Sequence, residues 1–297
     1  MNRGVFIVKS KSSGRKYVEK RVGVTFTRTG YARREVEAMR LCQDHPYIIQ
    51  LRAFDLDYSK LNYGSIYMQY SELGSLDGLI SRFSKCRERL PDEGFLWKVF
   101  WDMSLALAFL WTGVEIRTMR GRATNGKRIN SVDRWNRIMH RDLNPANVLL
   151  TWKDTLGADA CPYSAVVLAD FGCSVTINDV RAGLARGPEH HSGITPPFAP
   201  PETPAHTEVS EIHGLGLVLH CLGRMRRVPD PDRTLREQYP LFQSFKVAQV
   251  GVKQLLRREP DRRPSINDLP AEVWVGYSVW RRARSDDGRK LPKWALE

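Results

Sequence analysis

Met139-His140-Arg141-Asp142-Leu143-Asn144-Pro145-Ala146-Asn147-Val148-Leu149-Leu150 is the stretch whose reading decides the rest of this chain. A carboxylate at Asp142 and an amide at Asn147 stand five residues apart on a turn held by Pro145, and an apolar, strand-like run follows. A second acidic turn, Asp170-Phe171-Gly172, closes another such run, Val166-Val167-Leu168-Ala169. Two acceptor-bearing loops at the ends of β-type segments can converge on a divalent cation and a phosphate ester, because hard cations take oxygen ligands.

Working outward, the chain of 297 residues is long enough for one large core or two modest ones. A hydrophobic fraction of 42% with 27% charged residues is that of an ordinary globular protein. No run reaches the ~18 apolar residues of a membrane span, so no membrane partner is expected. The opening run Val5-Phe6-Ile7-Val8 is too short for a secretory signal. Cys42, Cys86, Cys161, Cys173 and Cys221 are scattered, without the spacing of a zinc site or a disulfide framework. They point to a reducing compartment, cytoplasm or nucleus. The net charge of +13 is the compositional outlier. Its basic residues concentrate at 115–137, 224–236, 253–263 and 281–293, with no nucleic-acid-binding motif among them. A solvated basic surface is expected rather than a nucleic-acid partner.

Local patterns give the elements. Val5-Phe6-Ile7-Val8-Lys9 and Arg15 to Val22 read as two strands around the turn Ser10 to Gly14. Gly30 to Cys42 has no internal glycine or proline and carries Val36, Met39 and Cys42 on one helical face. Gly64 to Tyr70 is a strand, and Phe95 to Trp111 is a core helix with Phe95, Val99, Met103, Ala106 and Leu110 near one face. Thr112 to Arg137 is rich in arginine, with Gly121 and Asn125-Gly126 as turns, and is expected as an exposed, partly mobile loop. Trp152 to Ser164, marked by Gly157, Asp159 and Pro162, is expected as a second exposed loop, and His190 and His191 as loop residues. From Ala271 the tail, with Trp274, Tyr277 and Trp280, is expected to cap the larger part of the molecule, with a loose basic end from Arg281.

The two central loops read as H-R-D-L-x-x-x-N and D-F-G, and in that order the chain resembles the protein kinases from about Gly4 to about Asp268. The resemblance implies an α+β, bilobal kinase-like fold. Residues 1–70 would form a small β-rich, ATP-binding lobe lacking its first strand, 71–270 a larger helical lobe, and 271–297 a basic tail. Only the end of a glycine-rich loop is present, in Arg3-Gly4-Val5. Tyr17-Val18-Glu19-Lys20 stands where V-A-I-K would, which makes Lys20 the lysine on the α/β-phosphates, with Lys16 its rival. Glu35 becomes the partner of Lys20, with Glu37 as the alternative on another helical face. His45-Pro46-Tyr47-Ile48-Ile49-Gln50-Leu51 is similar to the segment that leads into the family's fourth strand. Met68 takes the gatekeeper place, and the backbone of Gln69, Tyr70 and Ser71 would face adenine.

The same resemblance implies roles around the catalytic loop. Asp142 would accept or orient the substrate hydroxyl proton, and Asn147 and Asp170 would hold two Mg²⁺ ions on ATP. Arg141 belongs to the scaffold or meets a phosphate on the activation segment, and His140 packs the loop. Thr195-Pro196-Pro197-Phe198-Ala199-Pro200-Pro201-Glu202 is similar to T-P-x-Y-x-A-P-E, with Thr195 touching Asp142 and Glu202 paired with Arg263. Glu211-Ile212-His213-Gly214-Leu215-Gly216 is similar to D-x-W-S-L-G, with Glu211 for the aspartate that braces the catalytic loop. Asn144 stands where serine/threonine kinases carry lysine, and brings no charge.

These residues imply a kinase that transfers the γ-phosphate of Mg-ATP to serine or threonine hydroxyls of protein substrates. The alternative is a pseudokinase or nucleotide-binding scaffold, which the absent glycine loop, Asn144 and Glu211 favour. A small-molecule phosphotransferase of related fold is a third reading, opposed by Pro201-Glu202 and Arg263.

Overall fold

The structure, a computed structural model, describes residues 2–91, 93–152, 163–185, 195–230, 246–283 and 290–297. His190, His191 and most of the loop expected between Trp152 and Ser164, with Gly157, Asp159 and Pro162, lie outside the described residues. The architecture is mixed α+β. Strands β1 (Asn2–Lys9), β2 (Lys16–Gly23), β3 (Leu51–Asp55) and β4 (Tyr63–Gln69) form an antiparallel sheet in the order β1-β2-β4-β3. The β1–β2 hairpin sets Val5 opposite Lys20, and β2 in turn sets Lys20 opposite Ile66. The turn closes through Ser10 N–H to Arg15 C=O, 2.9 Å, with Gly14 at φ +67°, which a residue without a Cβ adopts freely.

A short helix, α1 (Val24–Arg28), follows β2 directly, and α2 (Tyr31–Leu41) lies behind it. The periodicity of α2 puts Ala32, Glu35, Val36, Ala38 and Met39 on its buried face. Glu35 is the one acid among them, so the face that packs also delivers a carboxylate inward. The sheet joins the helical part of the molecule through backbone bonds: Ile49 N–H donates to Leu168 C=O at 2.9 Å and Leu168 N–H to Tyr47 C=O at 2.9 Å.

The helical part is built on α3 (Leu76–Cys86), α4 (Gly94–Thr112), α7 (Glu208–Arg224), α8 (Lys246–Leu255) and α9 (Leu269–Ala283), with α5 (Ile116–Thr124) and α6 (Ile177–Arg181) between. α3 starts at a capping serine, Ser75, whose hydroxyl accepts from Gly78 N–H at 3.2 Å. α4 is its axis. It is buried at every position except Trp111, not along one face as its sequence suggested. A helix apolar all round belongs inside a core. The expectation that no run has the length of a membrane span is also corrected: among the described residues this one helix has the length and composition, and it is buried within the protein. Its two charges neutralise each other, Lys98 Nζ lying 2.6 Å from Asp102 Oδ2. Asp102 also accepts from Val166 N–H at 3.2 Å, so the pair ties α4 to the strand that leads to Asp170. α9 approaches α4 through two glycines: a Cβ on Gly276 would overlap the Trp97 ring, and one on Gly94 would overlap Trp280.

Two expectations are corrected here. The arginine-rich stretch 112–137 is not an exposed loop throughout. Glu115 caps α5 by accepting from Arg117 and Thr118 N–H (2.9 and 3.1 Å), and Ile116, Met119 and Ala123 are buried. Those three apolar residues share one helical face, masked in the sequence by the arginines on the other. Beyond α5, Asn267 Nδ2 donates to Ile129 C=O at 2.6 Å, and Trp135 packs its ring 5.4 Å from Phe109. The tail is not loose at its end either. Leu291 and Ala295 are buried, Trp294 lies 4.8 Å from Phe83, and Arg82 Nε donates to Ala295 C=O at 2.8 Å. A few apolar residues anchor a segment whose composition is otherwise basic.

Candidate functional site

Two small two-stranded sheets carry the central loops. β5 (Ile138–Met139) pairs with β8 (Val175–Thr176), and β6 (Val148–Thr151) pairs with β7 (Ala165–Leu168), so both loops emerge side by side. β5 precedes both loops and β8 follows them, whereas β6 and β7 lie between the two loops. Ala169 N–H donates to Asn147 C=O at 2.8 Å, and His140 Nε2 donates to Ala169 C=O at 2.9 Å. His140 also accepts from Asp142 N–H on its other nitrogen, at 3.4 Å, and packs edge-on against the buried Phe171 ring, 5.0 Å away. It is the hinge pin between the loops.

Asp142 sits at the centre of a fan of donors. Its carboxylate accepts from Thr195 Oγ1 at 2.8 Å, from Thr195 N–H at 3.2 Å, and from Asn147 Nδ2 at 2.9 Å. Asn147 also donates to Asp142 C=O at 2.8 Å, which leaves its side-chain oxygen to accept. Asn144 accepts from Ala146 N–H at 2.9 Å and turns its amide nitrogen towards Asp142 C=O at 3.2 Å and Thr195 Oγ1 at 3.4 Å. Among the described residues its polar contacts thus stay within the loop and the segment that carries Thr195.

On the sheet side, Lys20 of β2 meets Glu35 of α2 and Asp170 together. Lys20 Nζ lies 2.6 Å from Glu35 Oε1 and 2.7 Å from Asp170 Oδ1. Burial pushes the Lys20 ammonium pKa down, but the carboxylates of Glu35 and Asp170 outweigh it and hold the pKa above the usual lysine value. The same lysine outweighs burial at Asp170 and keeps its carboxyl below the ordinary range. Burial raises Glu35 against the pull of Lys20. The geometry separates the rivals. Lys16 lies over the Tyr70 ring, 5.7 Å from its centre, and Glu37 faces outward to Arg40 at 3.4 Å. Asp170 holds a left-handed backbone, φ 61°, as does Arg141 at φ 68°. Such conformations cost of order 1–3 kcal/mol for residues other than glycine and cluster where the surroundings dictate them.

The surroundings are visible. Arg141 N–H donates to Glu211 Oε1 on α7 at 2.8 Å, and His206 Nε2 donates to the same oxygen at 3.1 Å. Although burial works the other way, the bond from His206 pulls the Glu211 carboxyl down to about 2. Glu202 binds Arg263 by two bonds, 2.6 and 2.8 Å, and accepts from Ser210 at 2.6 Å. Met68 is buried near the end of β4 opposite Val18, with Gln69 N–H donating to Gln50 C=O at 2.9 Å, Tyr70 half-buried and Ser71 buried. His206, Ser210 and the contact of Arg34 Nη1 with Leu184 C=O at 2.8 Å were not picked out in the sequence, where no motif marks them.

Among the described residues, no three His, Cys, Asp or Glu side chains gather at metal-binding distance. The side chain of Asp170, 48% exposed, and the oxygen of Asn147 are oxygen groups of the kind a hard cation takes as ligands. Neither protein-family models nor curated proteins match this chain.

Proposed function

We propose that the chain is a protein kinase of bilobal, kinase-like fold that transfers the γ-phosphate of Mg-ATP to serine or threonine hydroxyls of protein substrates. The observation that carries this reading is the meeting of Lys20, Glu35 and Asp170 at 2.6 and 2.7 Å, beside a loop whose Asp142 and Asn147 are bonded at 2.9 Å. Four segments far apart in sequence supply one cation, three carboxylates and one amide, the set needed to hold a polyphosphate and take a proton.

In this reading Lys20, kept charged by its two carboxylates, binds the α- and β-phosphates. Adenine lies against the end of β4, with Met68 behind it and the backbone of Gln69, Tyr70 and Ser71 at its edge. Asp170 and the Asn147 oxygen hold Mg²⁺, which when bound offsets phosphate charge. Asp142 orients the substrate hydroxyl and accepts its proton, a contribution of ~10²–10⁴-fold for a general base in reach. Thr195, bonded to Asp142 at 2.8 Å, holds the carboxylate in position. Glu211 and the Glu202–Arg263 pair keep the loop and the segment ending at Glu202 in place.

One observation favours a second reading, a pseudokinase that binds nucleotide without transfer. Asn144 brings no charge, and its amide is engaged with Asp142, Ala146 and Thr195, so no cation from this position reaches a γ-phosphate. Purified protein incubated with labelled Mg-ATP and a basic generic substrate decides between the two. The enzyme reading expects label on serine or threonine that Asp142→Asn abolishes. Equal labelling by the variant, or none by either, removes that reading.

A further inference from the structure

We infer that the groove between α5 and α9 is a docking site for an acidic amphipathic helix of a partner protein. It stands apart from the nucleotide reading, because none of the residues proposed to act on phosphate lines it. The groove has a volume of about 740 Å³. α9 buries Val273, Tyr277 and Trp280, and Gly276 is pressed on Trp97. Its opposite side should then be polar. Instead Val275 and Val279 lie there 56% and 45% exposed, one helical turn apart, and both line the groove with the buried Ala123 of α5.

The rim decides the partner. Arg281 and Arg282 line the groove, Arg122 and the exposed Lys127 flank its α5 wall, and no acid is among the described lining residues. Of the acids of α9 and its approach, Asp268 is paired with Arg128, and Glu272 stands one turn before Val275, outside the groove lining. An apolar floor one turn long between basic walls is complementary to a helix with aliphatic residues at i and i+4 and carboxylates on its flanks. Single-stranded nucleic acid would take exposed rings for stacking. The floor offers valines, and Trp274 is only partly exposed, its ring 5.1 Å from Trp101 in the core.

The test uses the full chain without nucleotide and a fluorescein-labelled helical peptide of leucine and glutamate, with leucine at i and i+4. Saturable anisotropy is expected, weakening as salt is raised. Val275→Asp with Val279→Asp is expected to raise Kd by about tenfold or more, as the lost apolar contacts require. Lys127→Glu with Arg282→Glu is expected to do the same, and to restore binding to a lysine-for-glutamate peptide. Should the valine pair melt early, the charge pair alone decides. Equal binding by wild type and charge pair would place the peptide elsewhere and overturn the inference. So would the absence of binding, or a single-stranded RNA that competes for the same residues more tightly than the peptide.

Discussion

Replacing Arg263 by lysine keeps the charge and removes the geometry. The guanidinium, fully buried, binds both oxygens of Glu202 at 2.6 and 2.8 Å. It also donates to the carbonyls of Arg257, Val209 and Arg258 at 2.8, 3.0 and 3.2 Å. One planar fork therefore ties Glu202 to the start of α7 and to the turn after α8. A lysine ammonium, a compact donor on a flexible stem, cannot span those positions. At least two of the five bonds are lost, at ~1.5–3 kcal/mol for one to the carboxylate and ~0.5–1.5 kcal/mol for one to a carbonyl. The expected loss is ~2–4 kcal/mol, and Arg263→Ala, which strands the Glu202 carboxylate, should lose ~3–5 kcal/mol. Urea unfolding with a shared m-value reads this as a fall in midpoint. In the Arg263→Lys background, Glu202→Gln should cost less than it does alone, because the partners are coupled. A lysine variant within about 0.5 kcal/mol of wild type, the range of surface substitutions, would refute the brace.

Three further outcomes follow from the same bookkeeping. His45 is buried with neither ring nitrogen partnered among the described residues, and burial pushes its pKa down to about 3. Its unfolded form takes a proton near pH 6.5, so its contribution is present above that pH and lost below it. At about pH 5.5 the loss is on the order of 1 kcal/mol, and His45→Phe should remove that part of the decline in urea unfolding between neutral and acid conditions. Glu211 has the opposite origin, since its pKa is depressed to about 2. Its contribution is full above the unfolded value near 4.5 and lost as pH falls towards 2; Glu211→Gln should lower stability at neutral pH by up to about 3 kcal/mol and flatten the acid limb. Gly276→Ala should destabilise by ~1–3 kcal/mol, because its methyl overlaps the Trp97 ring, and a shift in tryptophan emission should accompany the loss.

How much was legible in the sequence depended on whether a feature was local. The β1–β2 hairpin, α2 and β4 follow from alternation and helical period, within one residue of their ends except that β1 begins three residues earlier, at Asn2. Lys20, Glu35, Asp142, Asn147 and Asp170 were named by the resemblance of their motifs, and the fold sets Lys20 against Glu35 and Asp170, and Asn147 against Asp142. What was hidden was hidden by charge or by distance. Arginines on the outer face of α5 masked the three apolar residues that bury it, and basic residues masked Leu291 and Ala295. α1 lacks any buried residue and so any periodic signal. His206 and Ser210 act through contacts that only the path of the chain around α7 creates.

The claim on which the rest depends is that Lys20, Asp170 and Asn147 together form a site for Mg-ATP. Thermal unfolding with ATP, measured with and without Mg²⁺, tests it most directly, since a ligand bound to the native state stabilises by about 2.7 kcal/mol at a hundredfold excess over Kd. The account predicts an upward shift that requires the metal, is lost in Asp170→Ala, and is reduced in Lys20→Met. No shift in wild-type protein, or one that Asp170→Ala retains in full, would contradict it.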